Sequence, residues 1–163
     1  MKRHWLEASL AARSAVFGVA ATALLLACAG AAQAQFTMVP SPLTSGPPRE
    51  SIAEIEREYR IDAGRHLYAA YPMRVYRGKV PPLIYSVMVV ETEIDATGQV
   101  LSITVVRKPA ADEVAPWVQA MIRRAAPYPP PAKFPGRSVR FLETWLVDKS
   151  GLFQIDTLTE GQQ

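Results

Sequence analysis

Residues 84–106 constrain the fold most, because two strand-like runs and the turn between them follow one another directly. Residues 84–94 and 100–106 are rich in β-branched side chains and contain no glycine or proline, a composition typical of half-buried strands. Between them, Asp95 can hydrogen-bond the backbone two residues on, and Gly98 can take the positive φ that a reversal needs. The sequence therefore predicts an antiparallel hairpin that turns at Gly98.

A helix is predicted before this hairpin. Ser51 and Glu54 have the spacing of a capping box, in which each side chain bonds the other residue's free backbone N–H. Ile52, Ile55 and Tyr59 fall on one stripe of a helix that starts there. We therefore expect an amphipathic surface helix from Ser51.

The remaining elements follow from the same periodicities. A second short helix is predicted after Asp62, ending before Pro72 because residues that precede proline avoid the α region. Apolar residues at helical spacing predict a further helix over residues 114–125. Two strand-like runs complete the order, at residues 139–147 and 152–158. The predicted fold class is α+β, an antiparallel sheet of three to four strands with helices packed on one face.

The first 34 residues have the three parts of a secretory signal peptide. Basic residues precede an uncharged run over residues 14–32, and small residues follow at Ala32 and Ala34, just before Gln35. We predict cleavage after Ala34 and export to the periplasm. Residues 35–50, with several prolines and serines, are predicted to form an extended, mobile linker that leads into a domain over residues 51–160.

Two other interpretations of the leader stay open. The sequence Leu-Leu-Ala-Cys ending at Cys28 has the pattern of a bacterial lipoprotein signal, in which Cys28 would be acylated. The uncharged run is also about long enough, at ~20 residues, to span a bilayer if it is retained. In the cleaved form no cysteine remains, which excludes disulfides, and 15 basic against 14 acidic residues argue against a nucleic-acid partner.

One segment, residues 66–147, resembles the C-terminal domain of TonB and TolA-type proteins. The resemblance is carried by Tyr71-Pro72, by the Ile94-Asp95-x-x-Gly98 turn, and by the predicted helix with its proline-rich exit at residues 127–131. It implies a small periplasmic module, helices on an antiparallel sheet, that binds envelope or outer-membrane proteins by accepting a short peptide as an added strand. The 16-residue stretch 35–50 reaches at most ~55 Å, so energy transduction by this chain alone is not expected.

The predicted binding surface is the edge of the last strand, with Phe153, Ile155 and Thr157 on one face. We expect no catalytic residues, no metal and no cofactor, and a partner that is an envelope protein. The alternative functions are a small periplasmic hydrolase or ligand-binding domain, and a lipid-anchored protein that carries the same domain.

A few residue groups could in principle carry chemistry. His66 with Asp62 one helical turn earlier could form an acid–base pair, but a structural or solvated histidine is the preferred interpretation. Glu91 and Glu93 share a strand face and could act as paired carboxylates, but a solvated strand end is the preferred interpretation. A set of four aromatic residues contains Tyr85, Trp117, Trp145 and Phe153, and its two tryptophans are predicted to pack in the core. The basic side chains of Arg74, Arg77 and Lys79 are predicted to be solvated.

Overall fold

The structure is a computed structural model that describes residues 34–44, 46–134, 136 and 138–159, without the side chains of residues 34 and 35. The described residues from Phe36 onward belong to one compact unit. Cys28 and Ala32 lie outside the described residues, and Ala34 and Gln35 begin a single helical turn. Signal cleavage and lipidation therefore stay predictions.

The described elements are α+β, which confirms the predicted fold class. They are, in chain order, α1 (Ala34–Thr37), α2 (Glu56–Ala70), β1 (Ser86–Ile94), β2 (Val100–Arg107), α3 (Val114–Arg124), β3 (Val139–Val147), β4 (Phe153–Ile155) and a 3₁₀ turn (Asp156–Leu158). The predicted hairpin, the helix after it and the third strand are all present. The fourth strand is shorter than predicted, because the chain turns into the 3₁₀ turn after Ile155.

The four strands form one antiparallel sheet in the order β2-β1-β3-β4. Burial alternates along β1 and β3, as expected for strands with one covered face. The covered face supplies Met88, Val90 and Ile94 from β1 and Phe141 and Trp145 from β3 to the core. Both long helices contribute buried side chains to the same core.

Both hairpin turns use the same chemistry. The Asp95 Oδ1 atom accepts hydrogen bonds from the backbone N–H groups of Thr97 and Gln99. In the second turn, the Asp148 Oδ1 atom accepts equivalent bonds from residues two and four positions on. A glycine with positive φ completes each turn, three residues after the aspartate.

The first hairpin turn packs directly against the segment that follows α3. The Tyr128 N–H donates to the Gly98 carbonyl at 2.8 Å, and a Cβ added at Gly98 would collide with the Tyr128 carbonyl. Tyr128 itself is fully buried. Gly98 is therefore required both for its φ of 86° and for this close approach.

The prediction of a helix starting at Ser51 is wrong. The Ser51 N–H donates to the Pro130 carbonyl at 3.0 Å, and its hydroxyl donates to Asp62 at 2.7 Å, so neither group caps a helix. Ile52 and Ile55 are 83% and 54% exposed and do not form the predicted apolar stripe. One continuous helix, α2, replaces the two short helices that were predicted, and it does end just before Pro72.

The first residues of the predicted linker make contacts with the domain. Phe36 is buried, and its ring contacts the rings of Tyr85 and Trp117. The Leu43 N–H donates to the Ala70 carbonyl at the end of α2. After α1, residues 39–44 form neither helix nor strand, and the segment contacts the domain through Phe36 and Leu43.

Candidate functional site

The outer side of β4, predicted as the open edge of the sheet, is already paired. The Phe153 N–H donates to the Arg74 carbonyl, and the Phe153 carbonyl accepts from the Tyr76 N–H, each at 2.8 Å. The Gln154 side chain donates to the carbonyls of Tyr76 and Gly78. The loop before β1 thus completes this edge, and an added strand would have to displace it.

The other two residues of the predicted edge are also engaged. Ile155 is fully buried, and its methyl group lies where a side chain at Gly64 of α2 would be. Thr157 lies in the 3₁₀ turn, beyond the end of β4, and its hydroxyl donates to Glu143 at 2.6 Å. The predicted binding edge at Phe153, Ile155 and Thr157 is therefore not an open strand edge, and this prediction is corrected.

The opposite edge of the sheet is formed by β2. Within the residues that the structure describes, β2 pairs with β1 alone, so the backbone groups on its outer side have no strand partner. Five of its eight residues are exposed and the other three are half-buried. The segment Val100–Val106 carries no charged side chain, although charge is a common means of keeping other strands away from an edge.

Two register shifts divide β2 into a central stretch and two ends. Opposite β1, the pairing skips Leu101 at one end and Val106 at the other, so each is an extra residue in β2. Both side chains are 58% exposed. Between them, residues 102–105 keep a regular register with β1. The stretch that is best shaped to accept a further strand is therefore four residues long.

A cleft runs along the helix-covered side of this edge. It has a volume of about 220 Å³ and is lined by Val105, Lys108, Pro109, Asp112 and Ala115. Ala115 belongs to α3, and Val105 points from β2 toward the core. A strand beside β2 would therefore pass over a small apolar depression with one basic and one acidic side chain at its rim.

Glu91 and Glu93 lie together on the uncovered face, and both contact Arg140. The Arg140 guanidinium is 2.9 Å from a Glu93 oxygen and 3.7 Å from a Glu91 oxygen. The hydrogen bond from Arg140 holds the pKa of Glu93 below its ordinary value. A carboxyl group whose pKa is lowered is a poor proton donor near neutral pH. The arrangement is that of a surface ion-pair cluster.

His66 and Asp62 do not form the acid–base pair considered above. The His66 Nε2 atom is 2.7 Å from the Ala125 carbonyl, whereas Asp62 accepts from Ser51 and lies 3.8 Å from Arg65. Both line a cleft of about 340 Å³, together with Ser51. The Ser51 hydroxyl is directed at the carboxylate, not at the imidazole, so these three groups lack the hydroxyl–imidazole contact of a nucleophilic triad.

Glu143 is the buried carboxylate that the sequence did not single out. It lies on the covered face of β3 and is only 4% exposed. Its oxygens accept from the Thr157 hydroxyl and N–H and from the Thr144 N–H. Burial raises the pKa of this carboxyl, and the Thr157 hydrogen bonds oppose the rise. Side chains alternate along the predicted strand, so Glu143 falls on the same face as Phe141 and Trp145. This position among apolar residues could have indicated from the sequence that Glu143 is buried.

The remaining candidates are the two tryptophans, which lie in the core, and the basic cluster before β1. Trp117 and Trp145 are each 1% exposed, which confirms that they are core residues. Arg77 and Lys79 are exposed in the loop that covers β4. Arg74 contributes its backbone carbonyl to that edge.

Among the described residues, no cluster of three or more His, Cys, Asp and Glu side chains could hold a metal ion. No helix in the described ranges is both long enough and apolar enough to span a bilayer. Comparison of the chain with protein-family models, with curated proteins and with solved structures returns no match. The resemblance to TonB-type domains therefore stays a prediction from the sequence.

Proposed function

We propose that this protein is a non-enzymatic interaction module that binds an extended segment of another protein along the outer edge of β2. The observation that carries the proposal is the asymmetry of the sheet: the loop that contains Arg74 and Tyr76 covers β4, while β2 has no strand on its outer side among the described residues. Backbone pairing along such an edge gives affinity, and side chains on the two faces give specificity.

The edge also has the composition that strand addition requires. Its central residues are Ser102, Ile103, Thr104 and Val105, which are compatible with an extended partner and introduce no charge repulsion. The extra residues Leu101 and Val106 increase the local twist at both ends, so a partner would pair over a short stretch. We expect a partner segment of about four to six residues that presents an apolar side chain to the cleft beside Val105.

We also propose that the protein acts in the periplasm. The leader with its small residues before Gln35 favours export to the periplasm, where the partner would be an envelope or outer-membrane protein. Acylation of Cys28 would instead tether the same domain to a membrane. Intact-mass measurement of the protein from its host distinguishes cleavage after Ala34 from acylation.

A hydrolase is the second candidate, and one observation favours it, the raised pKa of buried Glu143. A general acid must reach the substrate. The Glu143 oxygens are instead occupied by donors from Thr157 and Thr144, and the side chain is almost completely covered. This geometry supports a structural role for Glu143 more than a catalytic one.

Site-directed photo-crosslinking in the native host tests the proposed function. A photo-reactive residue at exposed Thr104 should give a specific protein adduct, because a strand added to β2 would lie within reach of this side chain. The matched control is the same residue at Arg57, which is exposed on α2. The same adducts from both positions, or none from Thr104 in folded protein, would contradict binding along β2.

A further inference from the structure

Residues 36–43, which precede α2, bind to the rest of the domain as a peptide ligand binds to a groove. Phe36 is 6% exposed, its ring is stacked on Tyr85 at a centroid distance of 6.0 Å, and it meets the edge of Trp117 at 5.3 Å. The Tyr85 hydroxyl donates to Glu113 at 2.7 Å, so one wall of this aromatic pocket is fixed to the residue before α3.

Beyond Phe36, the domain holds the segment by its backbone. The Arg124 guanidinium donates to the Val39 carbonyl at 2.6 Å, and the Trp117 indole N–H donates to the Met38 carbonyl at 3.4 Å. The Leu43 N–H donates to the Ala70 carbonyl at 2.8 Å. Contacts of this kind recognise an extended chain and are largely independent of its side chains.

The side chains after Phe36 contribute less to the domain. Met38 and Leu43 are 77% and 65% exposed, and Pro40 and Pro42 favour an extended backbone. Seven residues, 44–50, connect this segment to Ser51, where the chain joins the domain again. The segment is therefore attached on a short tether by the Phe36 anchor, by Val39, which packs against the core, and by hydrogen bonds that include those to the Met38 and Val39 carbonyls and from the Leu43 N–H.

We propose that the groove formed by Tyr85, Trp117, Arg124 and the end of α2 is a binding site for an extended peptide led by an aromatic residue. In the structure, residues 36–43 of the chain itself occupy it. Release of this segment would admit an aromatic-led segment of another polypeptide. The groove is separate from β2, so this inference does not depend on the proposed function.

The test is binding of a fluorescent peptide with the sequence of residues 36–43 to the full chain, measured by anisotropy. A short tether gives the bound segment a local concentration on the order of millimolar, which the free peptide must exceed in the wild type. Phe36→Ala removes the anchor of the internal segment. We expect the peptide to bind this variant at least 10-fold more tightly than the wild type.

Two controls identify the groove. A peptide with alanine in place of its phenylalanine should not bind, and Arg124→Ala in the Phe36→Ala chain should weaken binding several-fold. Arg124 is exposed, so its loss should leave the circular dichroism spectrum unchanged. Equal affinity for wild type and Phe36→Ala, no binding to a folded Phe36→Ala chain, or no effect of Arg124→Ala would overturn the proposal.

Hydrogen exchange of the wild-type chain gives a test that needs no variant. If the segment detaches locally, the Leu43 amide should exchange at least 100-fold faster than the buried Tyr128 amide, although both are hydrogen-bonded to carbonyls in the structure. Equal protection of the two amides would show that residues 36–43 open only with the whole domain, and would overturn the proposal.

Discussion

Thr157→Val should destabilise the domain, because it removes a donor from a buried carboxylate. The Thr157 hydroxyl donates to the Glu143 Oε2 atom at 2.6 Å, while the Thr157 N–H bonds the other oxygen at 3.2 Å. Valine has nearly the shape of threonine and keeps the backbone bond. The substitution therefore changes one hydrogen bond and little else.

The expected loss follows from the charge and burial of the acceptor. A hydrogen bond to a charged group contributes about 1.5 to 3 kcal/mol, and its loss leaves a lone pair of Glu143 without a donor in a site that water barely reaches. For a domain of this size, each kcal/mol corresponds to roughly 4 °C in Tm. We expect Tm to fall by roughly 6 to 12 °C.

Urea denaturation and thermal scans followed by circular dichroism measure this loss. Thr104→Val is the matched control, because Thr104 is exposed on the edge strand and valine suits a strand equally well. The control should change the free energy of unfolding by less than about 0.5 kcal/mol. If Thr157→Val were as stable as Thr104→Val at neutral pH, the Glu143–Thr157 contact would not hold the C-terminal turn as we infer.

Two further predictions concern pH and backbone. Burial raises the pKa of Glu143 above its unfolded value, so its ionisation costs stability as pH rises through the folded pKa. Urea titrations should show wild type losing stability relative to Glu143→Gln as pH rises above about 4.5, until the folded pKa is passed, and a constant difference would contradict this. Gly98→Ala should lower the free energy of unfolding by at least about 2 kcal/mol, because it adds a clash with Tyr128 to an unfavourable φ. Gly78→Ala, at a similar φ but in open space, should cost only about 1 kcal/mol, and equal losses in urea denaturation would argue against the Tyr128 contact.

The sheet could be predicted largely from local sequence. β3 was predicted at its observed bounds, and the hairpin turn at Gly98 was predicted because Asp and Gly at that spacing specify a reversal. These signals lie within a few residues of the structures they determine. The order of the predicted helices and strands then indicated the α+β class, and the alternating burial of β1 and β3 shows the covered face of the sheet.

The errors came from contacts between segments far apart in the sequence. Ser51 has a capping spacing, but Pro130 and Asp62 compete for its groups and determine its conformation. The paired side of β4 depends on a loop that returns from residues 74–78, which no strand pattern reveals. The position of Phe36 could have been suspected, since it is the one aromatic residue in the stretch 35–50.

The sequence predicted the type of candidate site, an open strand edge, but not which strand forms it. An open strand edge was expected, and the described part of the sheet has one, at β2 instead of β4. Strand order decides which edge is open, and strand order follows from long-range packing that the sequence pattern does not encode. The uncharged run Val100–Val106 was the available signal, but it fits an internal strand equally well.

The claim that β2 is the binding edge is tested most directly by two neighbouring proline substitutions, Thr104→Pro and Val105→Pro. Adjacent residues of a strand direct their backbone N–H groups to opposite sides of the strand. One of the two substitutions therefore removes a hydrogen bond to β1, and the other removes only an N–H group that points away from β1. We expect the variant that stays folded to lose the crosslinked adduct formed from a photo-reactive residue at Ser102. An undiminished adduct from that folded variant would contradict strand addition at β2.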